Sequence, residues 1–139
     1  MLKGPSEPIL VREKRQIGGM WMNAESTAFR SAPSFFAVAS SRPIEQIVDE
    51  KTAAIYEFGT SYIQLSPSGV IDTEEQARFA AGLVDLKTRQ GLYKEQVGGV
   101  TISEEVLYQA RIELPSNVTT GVYTAETFAI SRGRVLASA

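Results

Sequence analysis

At 139 residues, with 43% hydrophobic and 22% charged side chains, the chain has the size and composition of one packed domain, which excludes wholesale disorder. Lys and Arg total 14 against 16 Asp and Glu, a formal net charge of -2, which argues against a domain built chiefly to bind nucleic acid. Cysteine and histidine are both absent, so disulfides, thiol nucleophiles, Ser-His triads and the usual zinc ligands are excluded, and neither a metal nor a cofactor is expected.

Ile9-Leu10-Val11 predicts a strand that runs into Arg12-Glu13-Lys14-Arg15. That run reads as a solvated strand end and not as a polybasic membrane contact, because Glu13 interrupts three positive residues where a patch needs about four to eight. Gly18-Gly19 permits a bulge or a close backbone approach before Met20-Trp21-Met22. Trp21, the single tryptophan, is expected in the core, with an exposed aromatic hot spot as the alternative. Asn23 to Ala32 reads as a polar connection into a second strand, Phe35 to Ala39, so that Ile17–Asn23 and Pro33–Ser40 form paired strands.

Ser40-Ser41-Arg42-Pro43 is a helix start, with a hydroxyl near the cap and proline suited to the first turn. Ile44, Ile47 and Val48 share a helical face, Asp49 re-caps the chain, Ala54, Ile55 and Phe58 continue, and Gly59 stops the run. Tyr62 to Leu65 predicts a short strand closed by Ser66-Pro67-Ser68-Gly69. The strongest helix follows. Asp72 with Glu75, or Thr73 with Gln76, makes a capping pair; Phe79, Leu83, Leu86 and Gln90 recur at helical spacing and Gly91 closes the element. The helical insertion therefore spans about 43–91. Glu74 and Glu75 read as first-turn acids that complement the helix dipole in preference to catalytic carboxylates. Glu104 and Glu105, adjacent on a strand, would face opposite ways.

Val106, Tyr108, Ala110, Ile112 and Leu114 alternate with Gln109, Arg111 and Glu113, the pattern of a half-buried strand. A turn over residues 115–121 leads to a second alternating stretch, Tyr123 to Ala129, and Ser131-Arg132-Gly133-Arg134 turns into Val135-Leu136. Leu114-Pro115, then Gly121-Val122-Tyr123 entering a strand, is frequent in sandwich domains, where the tyrosine locks a corner. Asn117-Val118-Thr119 matches a glycosylation sequon and is read as turn chemistry. No phosphate loop, dinucleotide fingerprint, nucleophile elbow or repeat is present. The fold class is mainly β with inserted helices (α+β): an Ig-like antiparallel β-sandwich carrying one longer and one or two short α-helices.

Several landmarks recur in order from Gly4 to Val135: Gly4-Pro5 before Val11-Arg12 and Lys14; Gly19 to Asn23; Ala32 to Ala39; Gly91-Leu92-Tyr93; then Leu114-Pro115, Asn117, Gly121 and Tyr123. On these the chain resembles an alphaproteobacterial family of membrane-anchored proteins. Members of that family carry a secretory signal and further strands ahead of this region and a spanning helix after it. Met1 to Pro5 lacks the apolar core of a secretory signal, and no run approaches the roughly 18–20 apolar residues of a spanning helix. The bare residues thus read as soluble, whereas the resemblance implies an extracytoplasmic domain on the periplasmic face of the inner membrane. It also implies a membrane protein partner, a permease resembling sulfite exporters. It brings no activity and no catalytic residues.

Three readings follow, none carrying an enzymatic motif. The first is a non-catalytic binding or interaction module, which predicts an exposed apolar or aromatic patch at Tyr56, Tyr62 or Tyr93. The second is a small oxyanion-binding protein or carboxylate-dependent enzyme, with Arg30 and Arg42 gathered near Glu25 around the apolar block. A structural role within an assembly is the third reading.

Overall fold

The computed structural model describes residues 1–69, 72–103 and 107–139, without the side chains at 13–17, 21–27, 103, 107 and 108. The expected burial of Trp21 and the readings on Glu25, Glu104 and Glu105 lie outside the described residues.

After a two-residue strand, β1 (Leu2–Lys3), the chain forms a long antiparallel hairpin, β2 (Ser6–Ile17) and β3 (Met20–Pro33). Gly18 and Gly19 have φ of 58° and 84° and join the strands as a two-residue turn, neither the bulge nor the close backbone approach that the sequence permits. Positive φ at both central positions matches the right-handed strand twist, and glycine meets it without strain. The supposed connection Asn23–Ala32 is strand too, paired from Asn23↔Lys14 to Ala32↔Glu7. Ladder hydrogen bonds use the backbone alone, so a polar stretch pairs as readily as an apolar one once its neighbour is in register.

β4 (Phe36–Ser40) is apolar from Phe36 to Ala39 because it is covered on both faces. It pairs antiparallel with β1 and parallel with β6 (Tyr93–Val97), from Phe36↔Tyr93 to Ser40↔Val97. The parallel pair follows from the insertion, since a crossover long enough to hold helices returns the chain in the same direction. That crossover carries α1 (Ile44–Ile47), α2 (Glu50–Tyr56), a 3-10 turn (Thr60–Tyr62), β5 (Ser66–Pro67) and α3 (Thr73–Arg89). The sheet is completed by β9 (Thr124–Ala125), giving the order β6-β4-β1-β9. Two further hairpins stand beside it, β7 (Val100–Ser103) with β8 (Leu107–Ala110), and β10 (Phe128–Ser131) with β11 (Arg134–Ser138). The mainly β, helix-bearing architecture is the class read from the sequence.

Asp49 caps α2 by accepting a 2.8 Å hydrogen bond from the Thr52 amide, and the Thr52 hydroxyl, with that amide, holds its carboxyl below the usual range. The helix ends at Glu57, in the left-handed region, before Gly59 is reached. Tyr62 belongs to the 3-10 turn, and strand pairing resumes only at Ser66–Pro67 against β3. On α3, Phe79 and Leu83 are buried as expected, but Leu86 is 47% exposed and Lys87 takes the next inward position. The i, i+4 spacing from Leu83 selects Lys87, whose stem is buried while Nζ lies 3.1 Å from Glu7 Oε1. β8 ends at Ala110, so the alternation through Leu114 does not continue the strand.

Candidate functional site

The floor of the main concave feature is the end of β4, Val38 and Ala39, continued by Ile44 and Ile47 of α1. One wall is the β7–β8 hairpin with Val100, Ile102 and Ala110; the other is β10–β11 with Phe128, Ile130 and Leu136. The cleft between them encloses about 460 Å³ and is open to solvent. Ser40, Ser41, Arg42, Glu126, Thr127 and Ser131 supply the polar lining. Ile102 is 50% and Leu136 67% exposed, so the walls present large aliphatic side chains to water. An aromatic cluster closes one end: Phe58 meets Phe128 edge-to-face at 4.9 Å and stacks on Tyr56 at 5.3 Å.

A second cleft of about 420 Å³ lies behind α1 and α2 and includes Glu45, Asp49, Glu50 and Glu95. Two of these acids, Asp49 and Glu95, have local partners. Glu95 Oε1 accepts from the Thr60 amide at 2.6 Å and hydroxyl at 3.1 Å, and Asp49 caps α2. Among the described residues no group of three or more potential ligands could hold a metal ion.

The residues singled out in the sequence do not converge. Arg30, on β3, donates from Nε to the Pro67 carbonyl at 3.4 Å, whereas Arg42 lines the main cleft. Arg30 is on β3 and Arg42 in the bend between β4 and α1, and neither cleft is lined by both. Tyr56 is exposed within the aromatic cluster, and Tyr62 is half-buried against the Val48, Ala53 and Phe58 core. Tyr93 is 1% exposed and donates 2.7 Å to the Pro33 carbonyl, so it is a core residue and not part of a surface patch. Burial, with a smaller contribution from Glu7, raises its pKa above the ordinary tyrosine value. Ile102, Phe128 and Leu136, which line the cleft, were not singled out in the sequence. The available signal was the pair Val135-Leu136, which breaks alternation just after a tight turn.

The distant landmarks Gly4-Pro5, Ser34-Phe35, Gly121 and Tyr123 meet at one junction. The Gly4 amide donates to the Phe35 carbonyl at 2.8 Å and the Ser34 amide to the Pro5 carbonyl at 2.9 Å. A Cβ on Gly4 would stand 2.7 Å from Ser34 Oγ and 3.0 Å from the Tyr123 ring, and one on Gly121 would stand 2.7 Å from Pro5 Cγ. Tyr123 donates from its hydroxyl to the Thr119 carbonyl at 2.6 Å, the local bond of a tyrosine corner.

The family model described as "Putative transmembrane protein (Alph_Pro_TM)" matches residues 1–139. The chain belongs to this family. Its name is alphaproteobacterial, as the landmarks indicated. In this family member Gly4-Pro5, Ser34-Phe35, Gly121 and Tyr123 serve packing, joining β1, β4 and the segment before β9, whereas the landmarks Val38 and Ala39 form the floor of the main cleft. Among the described residues no helix is long and apolar enough to cross a membrane. No curated protein and no solved structure matches the chain.

Proposed function

We propose that this chain is the non-catalytic, extracytoplasmic interaction module of a membrane-anchored protein, and that its main cleft seats an extended apolar segment of a membrane partner. The observation that carries the reading is the cleft's construction. Its walls are two separate two-stranded sheets, β7–β8 and β10–β11, flanking an apolar floor. Two-stranded sheets are marginal in water and offer unpaired backbone groups along their edges. A strand laid between them gains main-chain hydrogen bonds from the edges and buries alternate side chains against Val38, Ile102 and Leu136.

Family membership supports placement at a membrane, and the resemblance points to a periplasmic setting with a permease of sulfite-exporter type as the partner. An oxyanion site is not favoured, because Arg30 on β3 and Arg42 in the bend after β4 share no cleft and one alone makes a poor cradle for a small anion.

The test in solution uses the dye 1-anilinonaphthalene-8-sulfonate as an apolar probe. Saturable binding to the wild-type chain, lost in Leu136→Glu and in Ile102→Glu at unchanged circular dichroism, supports the reading. Binding that is unsaturable, or indifferent to both substitutions, contradicts it.

A further inference from the structure

The β2–β3 hairpin is longer than its support. β5 pairs with β3 at Phe29 and Ser31, and the apolar cluster that fastens the hairpin to Phe79 and Leu83 of α3 reaches outward through Ile9 to Val11. The register continues beyond that point from Arg12↔Ser26 to Ile17↔Met20, an arm of about 20 Å at the usual rise per strand residue. At its tip, Cβ atoms built on Gly18 and Gly19 would have nothing within 4 Å, and Met20 is 68% exposed.

The sequence carried by this arm is sorted by polarity. Ile17↔Met20 and Gln16↔Trp21 occupy the positions nearest the turn, Arg15 pairs with Met22 behind them, and Lys14 and Arg12 lie further back. Against these three basic residues the arm, 12–26, holds two acids, Glu13 and Glu25, a net of one positive charge in a chain whose net charge is -2, so the remainder of the protein is acidic. Three interrupted positive charges alone do not make a lipid contact. Behind an apolar tip they do, since insertion of apolar residues and attraction to anionic headgroups reinforce each other and tryptophan prefers the interface.

We propose that the end of the β2–β3 arm docks on an anionic lipid bilayer, with Gly18–Met20 entering the headgroup region and the acidic body held away from it. This surface is independent of the cleft and stands whether or not the cleft binds a partner.

The experiment is co-sedimentation of the chain with vesicles of phosphatidylglycerol and phosphatidylethanolamine in equal parts, and with phosphatidylcholine vesicles. Bromine-labelled acyl chains in parallel samples quench the fluorescence of Trp21, the chain's single tryptophan. The net of one basic charge predicts binding to the anionic vesicles about fivefold tighter than to the neutral ones. Quenching by the bromolipid is expected to accompany it, and both are expected to be lost in Met20→Asp and weakened in Lys14→Gln. Equal or no binding to the two vesicle types overturns the proposal. So does binding without quenching, binding unaffected by Met20→Asp, or sedimentation that occurs equally without lipid, which would identify the arm as a contact between copies.

Discussion

The Tyr93 hydroxyl donates a 2.7 Å hydrogen bond to the carbonyl of Pro33, tying the first residue of β6 to the last residue of β3 across sixty positions of sequence. The tyrosine is buried and its ring meets Phe36 edge-on at 6.3 Å, so one side chain joins the long hairpin to the central sheet. Tyr93→Phe keeps the ring and deletes the donor, leaving the carbonyl without this partner. It is expected to cost about 1 kcal/mol in urea unfolding at neutral pH.

The same residue sets an alkaline limit. Its folded pKa is raised, so its contribution is fully present below the ordinary tyrosine value of about 10 and is lost as pH rises toward the folded value. Above pH of about 10, wild-type stability is expected to fall about 1.4 kcal/mol per pH unit more steeply than that of Tyr93→Phe. Denaturant melts of the two proteins across that range measure the difference.

The two neighbouring leucines of α3 separate the helix faces. Leu83 is fully buried against Phe29 and Phe79, and Leu83→Ala should cost about 3 kcal/mol through lost burial and a residual cavity. Leu86, half-exposed, should lose less than about 1 kcal/mol on the same change. Equal losses in urea unfolding would place the helix in a different rotation.

Lys87 and Glu7 form the pair that the sequence pattern hid. Lys87→Met keeps the buried stem and is expected to be within about 1 kcal/mol of wild type. Glu7→Ala leaves the ammonium in its buried position without the carboxylate and should cost about 1–2 kcal/mol, discounted because Glu7 is one-third exposed. Thermal melts of the two variants give the order.

Gly4 tests the landmark junction. Gly4→Ala forces a methyl into contact with Ser34 Oγ and the Phe35 and Tyr123 side chains, an overpacking expected to cost about 1–3 kcal/mol. Gly69→Ala, where a Cβ meets nothing within 4 Å, is the comparison in the same unfolding assay.

What the sequence revealed and what it hid have physical causes. β4 was legible because a strand buried on both faces reads as an apolar run, and α3 because a long amphipathic helix repeats its signal. Arg132 and Gly133, both at positive φ, made the last hairpin turn visible as Ser-Arg-Gly-Arg. The Asn23–Ala32 strand was hidden because its partner β2 supplies backbone pairing and asks little of its side chains. Lys87 was hidden because a long stem buries like an aliphatic residue while its charge reads as surface. The cleft was illegible because it exists only between β4 and two hairpins far apart in sequence, and no local pattern encodes that distance. Arg30 and Arg42, close in sequence, were separated by the turn from β3 into β4, which sends the two strands into different sheets.

The central claim is that the cleft between β7–β8 and β10–β11 is occupied at the membrane. Because the chain has no cysteine, Leu136→Cys and Ala77→Cys introduce single thiols in the cleft wall and on the exposed surface of α3. The decisive measurement is the ratio of their maleimide labelling rates in the isolated chain and in native membranes. The account predicts comparable rates in the isolated chain and selective protection of Leu136→Cys in membranes; an unchanged ratio would contradict it.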